Sequence, residues 1–278
     1  MSAWARAREM SDVLARAGIE DPALEAELLV RHAAGLSRVE YFKREPVPPV
    51  REIALENALA RRLAGEPNAY ITGSREFFGR QFHVGPDVLI PRPETEMLVE
   101  LVLAEQLPTG AIVADIGTGS GCVAISVAAE RPDFRAVGVD VSASALCIAR
   151  GNAVVNSTTV SFIRGNLSHG LARADVILAN LPYIPAGDIA TLQPEVRDWE
   201  PRLALDGGPD GLSLIRELVL DCATRLRPRL LALEVGLGQA ERVASLLREY
   251  SDTPKLRNSV TVLADFAGIP RVVCARWR

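Results

Sequence analysis

Cysteine is scarce in this 278-residue chain. The four present, Cys122, Cys147, Cys222 and Cys274, lie far apart and form no metal-like pair. Each reads as a small hydrophobe in a reducing compartment, not as half of a disulfide or a zinc site, so no metal site is expected. Long apolar runs are missing too: no uninterrupted stretch reaches the ~18 residues that a membrane span needs. Met1 to Arg8 carries charge and Trp4, and no apolar signal-peptide core follows. A cytoplasmic location is the expectation. Histidine is limited to His32, His83 and His169, isolated and outside any motif, which favours structural or surface roles. Positive charge is not in excess. The net charge of -4 argues against wholesale binding to a nucleic-acid backbone and leaves room only for a local basic patch. Internal repeats and low-complexity segments are absent.

What remains is an ordinary globular composition, 48% hydrophobic and 24% charged, long enough for one large domain or two modest ones. The first third reads as helices. Ala3 to Ala17 has apolar residues at helical spacing. Asp21-Pro22 offers an N-cap with proline in the first turn, ahead of Ala23 to Ala34, and Gly35 is a C-cap candidate. A third helix is expected from about Arg51 to Leu63, ending at Gly65-Glu66-Pro67. Such helices suit a small bundle with one buried face.

The pattern then changes. Phe77 to Val84 looks like a hairpin with a glycine turn, Pro91-Arg92-Pro93 breaks it, and Glu94 to Glu105 resumes helical periodicity. The expected organisation is a helical domain over 1–75, a hairpin connector over 76–92 and a second domain over 93–278. In that second domain short apolar runs alternate with helical patterns: Ala111-Ile116, Ala136-Asp140, Val160-Ile163, Val176-Asn180, Leu230-Val235, Val260-Ala264 and Val272-Ala275. This predicts an open α/β sheet, mainly parallel, with helices on both faces; the last two strands are close enough to pair antiparallel at an edge.

Two strand ends carry the chemistry. The run Ala111-Ile112-Val113-Ala114-Asp115-Ile116 leads into Gly117-Thr118-Gly119-Ser120-Gly121. Glycines there permit a tight strand-to-helix turn and close backbone approach by a ligand, and a helix starting near Gly121 points amide donors at it. Alone, such a loop is a weak signal. Asp140 strengthens it, ending the next strand ~20 residues on, where a carboxylate can accept from both ribose hydroxyls. It can equally cap the helix starting near Ser142. A nicotinamide dinucleotide fits this pattern as well as S-adenosylmethionine. Two details favour the latter: the loop reads G-x-G-x-G, not G-x-G-x-x-G, and it begins with Asp115. That carboxylate can either brace the loop or meet a cationic amino-acid moiety. The position of Asn166 and Leu167, after the third strand, suggests contact with the adenine; a solvent-facing turn is the alternative.

The fourth strand delivers Asn180-Leu181-Pro182-Tyr183 to the sheet's carboxyl edge, where doubly wound sheets bind ligands. An amide nitrogen is a poor nucleophile because its lone pair is delocalised, so it needs orientation more than a strong base. The Asn180 side-chain oxygen and the Leu181 carbonyl can each accept one N–H of an NH2 group, and Tyr183 can stack on the planar target. The string also suits an ordinary strand-ending turn. Its position downstream of the glycine loop and Asp140 favours transfer of a methyl group from S-adenosylmethionine to nitrogen.

With these residues in place, the chain resembles the protein-glutamine methyltransferases that modify peptide chain release factors. Leu89-Ile90-Pro91-Arg92-Pro93-Glu94-Thr95-Glu96 resembles that family's entry into its catalytic domain, and Phe77-Phe78-Gly79-Arg80 the segment before it. Glu200-Pro201, Ala204-Leu205, Gly207-Gly208 and Asp210-Gly211-Leu212 resemble the stretch after its catalytic turn. The resemblance covers essentially the whole chain. It implies a Rossmann-like methyltransferase fold with a seven-stranded, mostly parallel sheet and a small N-terminal helical bundle. It also implies S-adenosylmethionine as donor and the glutamine of a Gly-Gly-Gln loop as acceptor. By position, Gly117, Thr118, Gly119, Ser120, Gly121, Asp140, Asn166, Leu167 and Asn180 would hold the cofactor. Asn180, Leu181, Pro182 and Tyr183 would hold the glutamine, and the N-terminal helices would help dock the release factor. The chain is expected to be a monomer with no membrane or direct nucleic-acid partner. Two residues depart from the family pattern: Leu181 replaces a usual proline, and Asn166 a usual acidic residue. The adenine dimethyltransferases of ribosomal RNA also carry leucine at the first of these places, which supplies the competing function of adenine methylation. A methyltransferase-like scaffold without turnover is the non-enzymatic alternative. Trp199-Glu200-Pro201 can close over the acceptor site or pack as a plain loop.

Overall fold

A computed structural model describes residues 1–250 and 259–277. The chain forms two compact units. The first comprises Met1–Ser74 with Gln193–Trp199, the second Arg75–Leu192 with Glu200–Arg278.

Five helices make up most of the first unit: α1 (Ala3–Arg16), α2 (Pro22–Ala34), α3 (Arg38–Phe42), α4 (Glu52–Leu63) and α5 (Asn68–Thr72). Ala7, Met10 and Leu14 of α1 bury against Ala26, Leu29, Val30 and Ala33 of α2, as their three- and four-residue spacing dictates. Two elements escape the periodicity argument because each is only five residues long. One of them, α3, is set by a capping box, in which Ser37 and Glu40 satisfy each other's backbone amides. Asp21 occupies the expected N-cap position, but with a left-handed backbone (φ 48°) and no side-chain cap hydrogen bond. Proline at the first turn and Gly35 in the left-handed region (φ 69°) bound α2 as expected. Arg62 is buried, and its charge is met by Glu25 at 2.7 Å and by Glu195 of the short helix Pro194–Arg197 at 2.6 Å.

The second unit begins with the hairpin β1 (Ser74–Phe77) and β2 (Arg80–His83). Phe78 and Gly79 both have positive φ, the signature of a tight hairpin turn. The amide of Phe78 is tied at 2.8 Å to Glu96, the first residue of helix α6 (Glu96–Ala104). Seven further strands form one sheet: β3 (Ile112–Ile116), β4 (Arg135–Asp140), β5 (Val160–Arg164), β6 (Val176–Ala179), β7 (Leu230–Glu234), β8 (Thr261–Ala264) and β9 (Pro270–Arg276). Their order is β5-β4-β3-β6-β7-β9-β8, with β9 antiparallel to both neighbours and the rest parallel. The near-continuous apolar runs follow from covering both faces of the sheet. Helices α7 (Cys122–Glu130) and α8 (Ala143–Val155) follow β3 and β4, and the later helices Ser213–Asp221 and Ala240–Glu249 flank β7. Among the described residues no helix is long and apolar enough to cross a membrane.

The strand order reverses between the parallel neighbours β3 and β6, with β4 and β5 laid to one side and β6 and β7 to the other, which opens a crevice beyond their carboxyl ends. Register decides what lines it. Ile116 stands opposite Val139 on one side and Ala179 on the other, and Ala179 opposite Leu233. One step further along these four strands stand Gly117, Asp140, Asn180 and Glu234.

Candidate active site

A cavity of about 470 Å³ lies at this crevice. Gly117, Thr118, Gly119, Ser120, Asp140, Asn166, Leu167, Asn180, Leu181 and Pro182 all line it, so most of the residues read from the motifs meet around one space. Val88, Leu89, Pro91, Arg92 and Thr95 form another wall, and Pro201, Leu203 and Ala204 a third.

The glycine loop is held from beneath. The Gly117 and Thr118 amides donate to the Val139 carbonyl at 2.8 and 3.0 Å. Asp115 is buried and accepts from the Thr118 hydroxyl at 2.6 Å and from the Ala124 amide at 3.3 Å. Of its two candidate roles, this contact set is that of the loop brace. Burial pushes the Asp115 carboxyl up to about 6, against the pull of the Thr118 and Ala124 hydrogen bonds. Gly117 must be glycine twice over: its φ is 73°, and a Cβ there would sit 3.2 Å from the Leu181 side chain.

Gly121 departs from the expected cofactor contact. It does not line the cavity; a Cβ on it would lie 2.8 Å from Ile125 and 3.1 Å from Ala149, so it lets α7 and α8 approach. Tyr183 is likewise not among the lining residues. Its ring lies against Gly236, its carbonyl accepts from Gln239 at 2.8 Å, and burial pushes its phenol up to about 12. Both residues belong to motifs whose chain order is legible, and both pack against neighbouring elements beside the space.

Asp140 fills the capping role its position allowed and braces the glycine loop as well. One carboxylate oxygen accepts from the Gly119 amide at 2.9 Å and the other from the Ser142 amide at 2.9 Å, at the start of α8. Each oxygen keeps further acceptor capacity toward the cavity. Asn166 is exposed at the cavity rim, 3.4 Å from Glu217, and Leu167 is buried with a left-handed backbone (φ 48°).

At the tip of β6, the Asn180 side-chain amide donates to the Thr95 hydroxyl at 3.0 Å, and that hydroxyl donates to Glu234 at 2.6 Å. With the nitrogen so engaged, the amide oxygen of Asn180 faces its other side and has no partner among the described residues. The Leu181 carbonyl is similarly open, while the Leu181 side chain is buried over Gly117. Glu234 is buried and pushed up to about 7, first by desolvation, against the Thr95 hydrogen bond.

Sequence reasoning quoted Thr95 only as part of a string and gave Glu234 no role, because nothing in local spacing links residues 139 positions apart. Asn152 was missed for the same reason: it is buried and joins the backbone of His83 to the Ser120 carbonyl, which ties β2 to the glycine loop. Glu200 anchors the second wall. Its buried carboxylate accepts from the Ile90 amide at 3.1 Å and pairs with Arg92.

The cavity fits S-adenosylmethionine. It offers a loop whose backbone can be approached closely, a carboxylate at the tip of the second strand, and apolar walls at Leu89, Leu167 and Leu203.

Comparison with known proteins gives the same picture. Residues 7–73 match the PrmC N-terminal domain and residues 94–193 the methyltransferase small domain. The chain is 42% identical over 271 residues to the release factor glutamine methyltransferase of Cereibacter sphaeroides, covering 95% of this chain and 94% of the relative. It is 43% identical over 238 residues to that of Geobacter sulfurreducens, covering 84% of each. Among solved structures, the hMettl16 catalytic domain in complex with an RNA hairpin aligns with a TM-score of 0.57 at 16% identity, covering 80% of this chain and 82% of that one. The Thermus thermophilus 16S rRNA N2 G1207 methyltransferase in complex with AdoMet and guanosine aligns with a TM-score of 0.52 at 22% identity, covering 74% of this chain and 50% of that one. These two show the methyltransferase fold. The full-length identities go further: the chain belongs to the release factor glutamine methyltransferase family.

Proposed function

We propose that this protein methylates the side-chain amide nitrogen of the glutamine in the Gly-Gly-Gln loop of peptide chain release factors, with S-adenosylmethionine as donor. The observation that carries the chemistry is the orientation of Asn180: its NH2 is held by Thr95, so its oxygen is the atom left to accept. The cofactor, when bound, supplies a methyl group made electrophilic by its sulfonium. Everything else falls to the chain's own residues. Asp140 and the backbone of Gly117 to Ser120 hold the donor, with Leu167 and Asn166 at its adenine end. The Asn180 oxygen and the Leu181 carbonyl each accept one N–H of the glutamine, fixing the plane of the carboxamide and the direction of its nitrogen lone pair. The same two oxygens oppose the positive charge that grows on nitrogen, and the surplus proton on an alkylated amide is acidic enough to leave to water without a strong base.

Leu181 in place of proline leaves the carbonyl available, since the acceptor is backbone. Pro182 keeps the turn rigid. Tyr183 supports the turn through its carbonyl, and its ring, packed beside the turn, would stack on the planar target group. The helical unit, with Val39, Phe42, Val50 and Ile53 exposed, would supply docking surface for the release factor. A monomer working in the cytoplasm without direct nucleic-acid contact completes the reading.

The test is intact-mass analysis of a release factor incubated with the protein and S-adenosylmethionine. One added methyl, mapped to the Gly-Gly-Gln glutamine, is expected. No mass gain from a folded sample sinks the proposal, and a gain on adenine in RNA would favour the competing function.

A further inference from the structure

Glu234 is a buried carboxylate behind two cavity-lining residues, Thr95 and Asn180, and the methyl-transfer scheme above does not use it. It lies level with Asn180 on the neighbouring strand, and the two are joined through a single hydroxyl. The direction of hydrogen bonding along that line is dictated from the carboxylate end. An ionised carboxylate only accepts, so the Thr95 hydrogen points to Glu234. The Thr95 oxygen then accepts from Asn180, which must turn its NH2 inward and its oxygen toward the cavity. Without that constraint the two ends of an amide are nearly equivalent in shape, and the opposite orientation would present N–H groups to the N–H groups of the substrate.

We infer that Glu234 and Thr95 are positioning residues: the Glu234 carboxylate sets the orientation of the Asn180 amide through the Thr95 hydroxyl, and proton uptake by Glu234 releases it. A protonated Glu234 donates to the Thr95 oxygen, the Thr95 hydrogen swings toward Asn180, and the amide turns its oxygen to meet it. The acceptor then points away from the substrate. The groups facing Glu234 are Arg92 and Glu94 from the segment before α6, Arg271 from β9, Tyr183 from the turn after β6 and Cys122 from the start of α7. Arg92 is paired with Glu200 and Arg271 with Asp265 at 3.0 Å, so neither cation bonds the Glu234 carboxylate directly. Titration near neutral pH, where burial places this carboxyl, puts the switch within the working range.

The catalytic part of this inference rests on the proposed function, so the test has a readout independent of turnover. In the wild type bound to S-adenosylhomocysteine, the side-chain 15N and 1H resonances of Asn180, assigned by their loss in Asn180→Ser, are followed from pH 5.5 to 8.5. A titration near pH 7 that disappears in Glu234→Gln is expected. In turnover, wild-type kcat should fall about tenfold per pH unit below the transition, and Glu234→Gln should lose that acid limb. Thr95→Val should lower kcat by about 10- to 100-fold with KM for the release factor within about threefold, and Thr95→Ser should restore most of it. A flat Asn180 titration in the wild type, an acid limb that survives in Glu234→Gln, or equal rates for Thr95→Val and Thr95→Ser overturns the inference. A wild type that shows the titration but adds no methyl to release factor overturns the proposed function and leaves the relay standing. One that methylates with a flat titration does the reverse. Should the variants fail to fold, the wild-type titration decides alone.

Discussion

Asn180 and Glu234 end adjacent parallel strands in register, and Thr95, from a turn on the other side of the cleft, places its hydroxyl between them. The amide that would hold the substrate is thereby attached to the sheet at two points, its own backbone and its side-chain nitrogen. Replacing Asn180 with alanine should reduce methyl transfer by about 10²–10³-fold or more while leaving S-adenosylhomocysteine affinity within about tenfold. Single-turnover rates and calorimetry check the two halves; full activity in the variant would contradict the role given to this residue.

Glu234 makes stability and activity run in opposite directions with pH. Its folded carboxyl titrates near 7, against an ordinary value of 4.5. Between those values the folded protein keeps a proton that the unfolded chain has lost, so stability falls as pH rises through this window. Glu234→Gln removes that dependence. Its melting temperature relative to wild type should be higher at pH 8 than at pH 5, by the equivalent of up to about 3 kcal/mol. Differential scanning calorimetry at the two pH values measures it.

Asp140 braces two backbone amides and is the proposed ribose acceptor. Asp140→Ala strands the Gly119 and Ser142 amides and would remove that proposed acceptor. Affinity for S-adenosylhomocysteine should drop about 10- to 100-fold, with Asp140→Asn in between because one of its oxygens survives. Unchanged affinity in the alanine variant would place the ribose elsewhere.

Gly121 is predicted to matter for folding and not for the ligand directly. Alanine there would meet Ile125 at 2.8 Å with φ at 83°. A loss of about 1–3 kcal/mol in stability is expected, read as a lower denaturant midpoint. A variant as stable as wild type that loses only cofactor binding would restore Gly121 to the binding set.

Glu200 tests the wall formed by Leu89 to Arg92. Its side chain is 1% exposed and holds both the Ile90 amide and Arg92. Glu200→Ala leaves a buried amide and a guanidinium without that partner, which costs about 1–3 kcal/mol. The same change should weaken cofactor binding, because Leu89, Pro91 and Arg92 line the cavity. Isothermal titration and thermal melts report these separately.

The sheet was legible because its strands are buried on both faces and read as unbroken apolar runs such as Val176 to Ala179. The candidate binding residues at strand tips were legible for a related reason: register carries Gly117, Asp140 and Asn180 to one edge, and each ends a recognisable run. Glu234 ends such a run as well, yet it looked like the tail of a strand. Its meaning depends on Thr95, a partner far away in sequence. Gly121 and Tyr183 show what motif membership leaves open: it gives their neighbourhood, while contacts with Ile125 and Ala149 for one and with Gly236 and Gln239 for the other depend on partners outside the motif. The short helices α3 and α5 were hidden because five residues complete barely one turn and carry no periodicity.

The proposed acceptor and donor cradles project directly from β3, β4 and β6, with β7 behind them, so their spacing is that of a hydrogen-bonded ladder and not of a hinged lid. Heating should therefore leave catalysis intact until the whole unit melts, with inactivation and loss of tertiary signal coinciding on one curve. Conversely, a silent-looking swap deep in these strands, such as Leu178→Ala, should be felt at the reacting nitrogen.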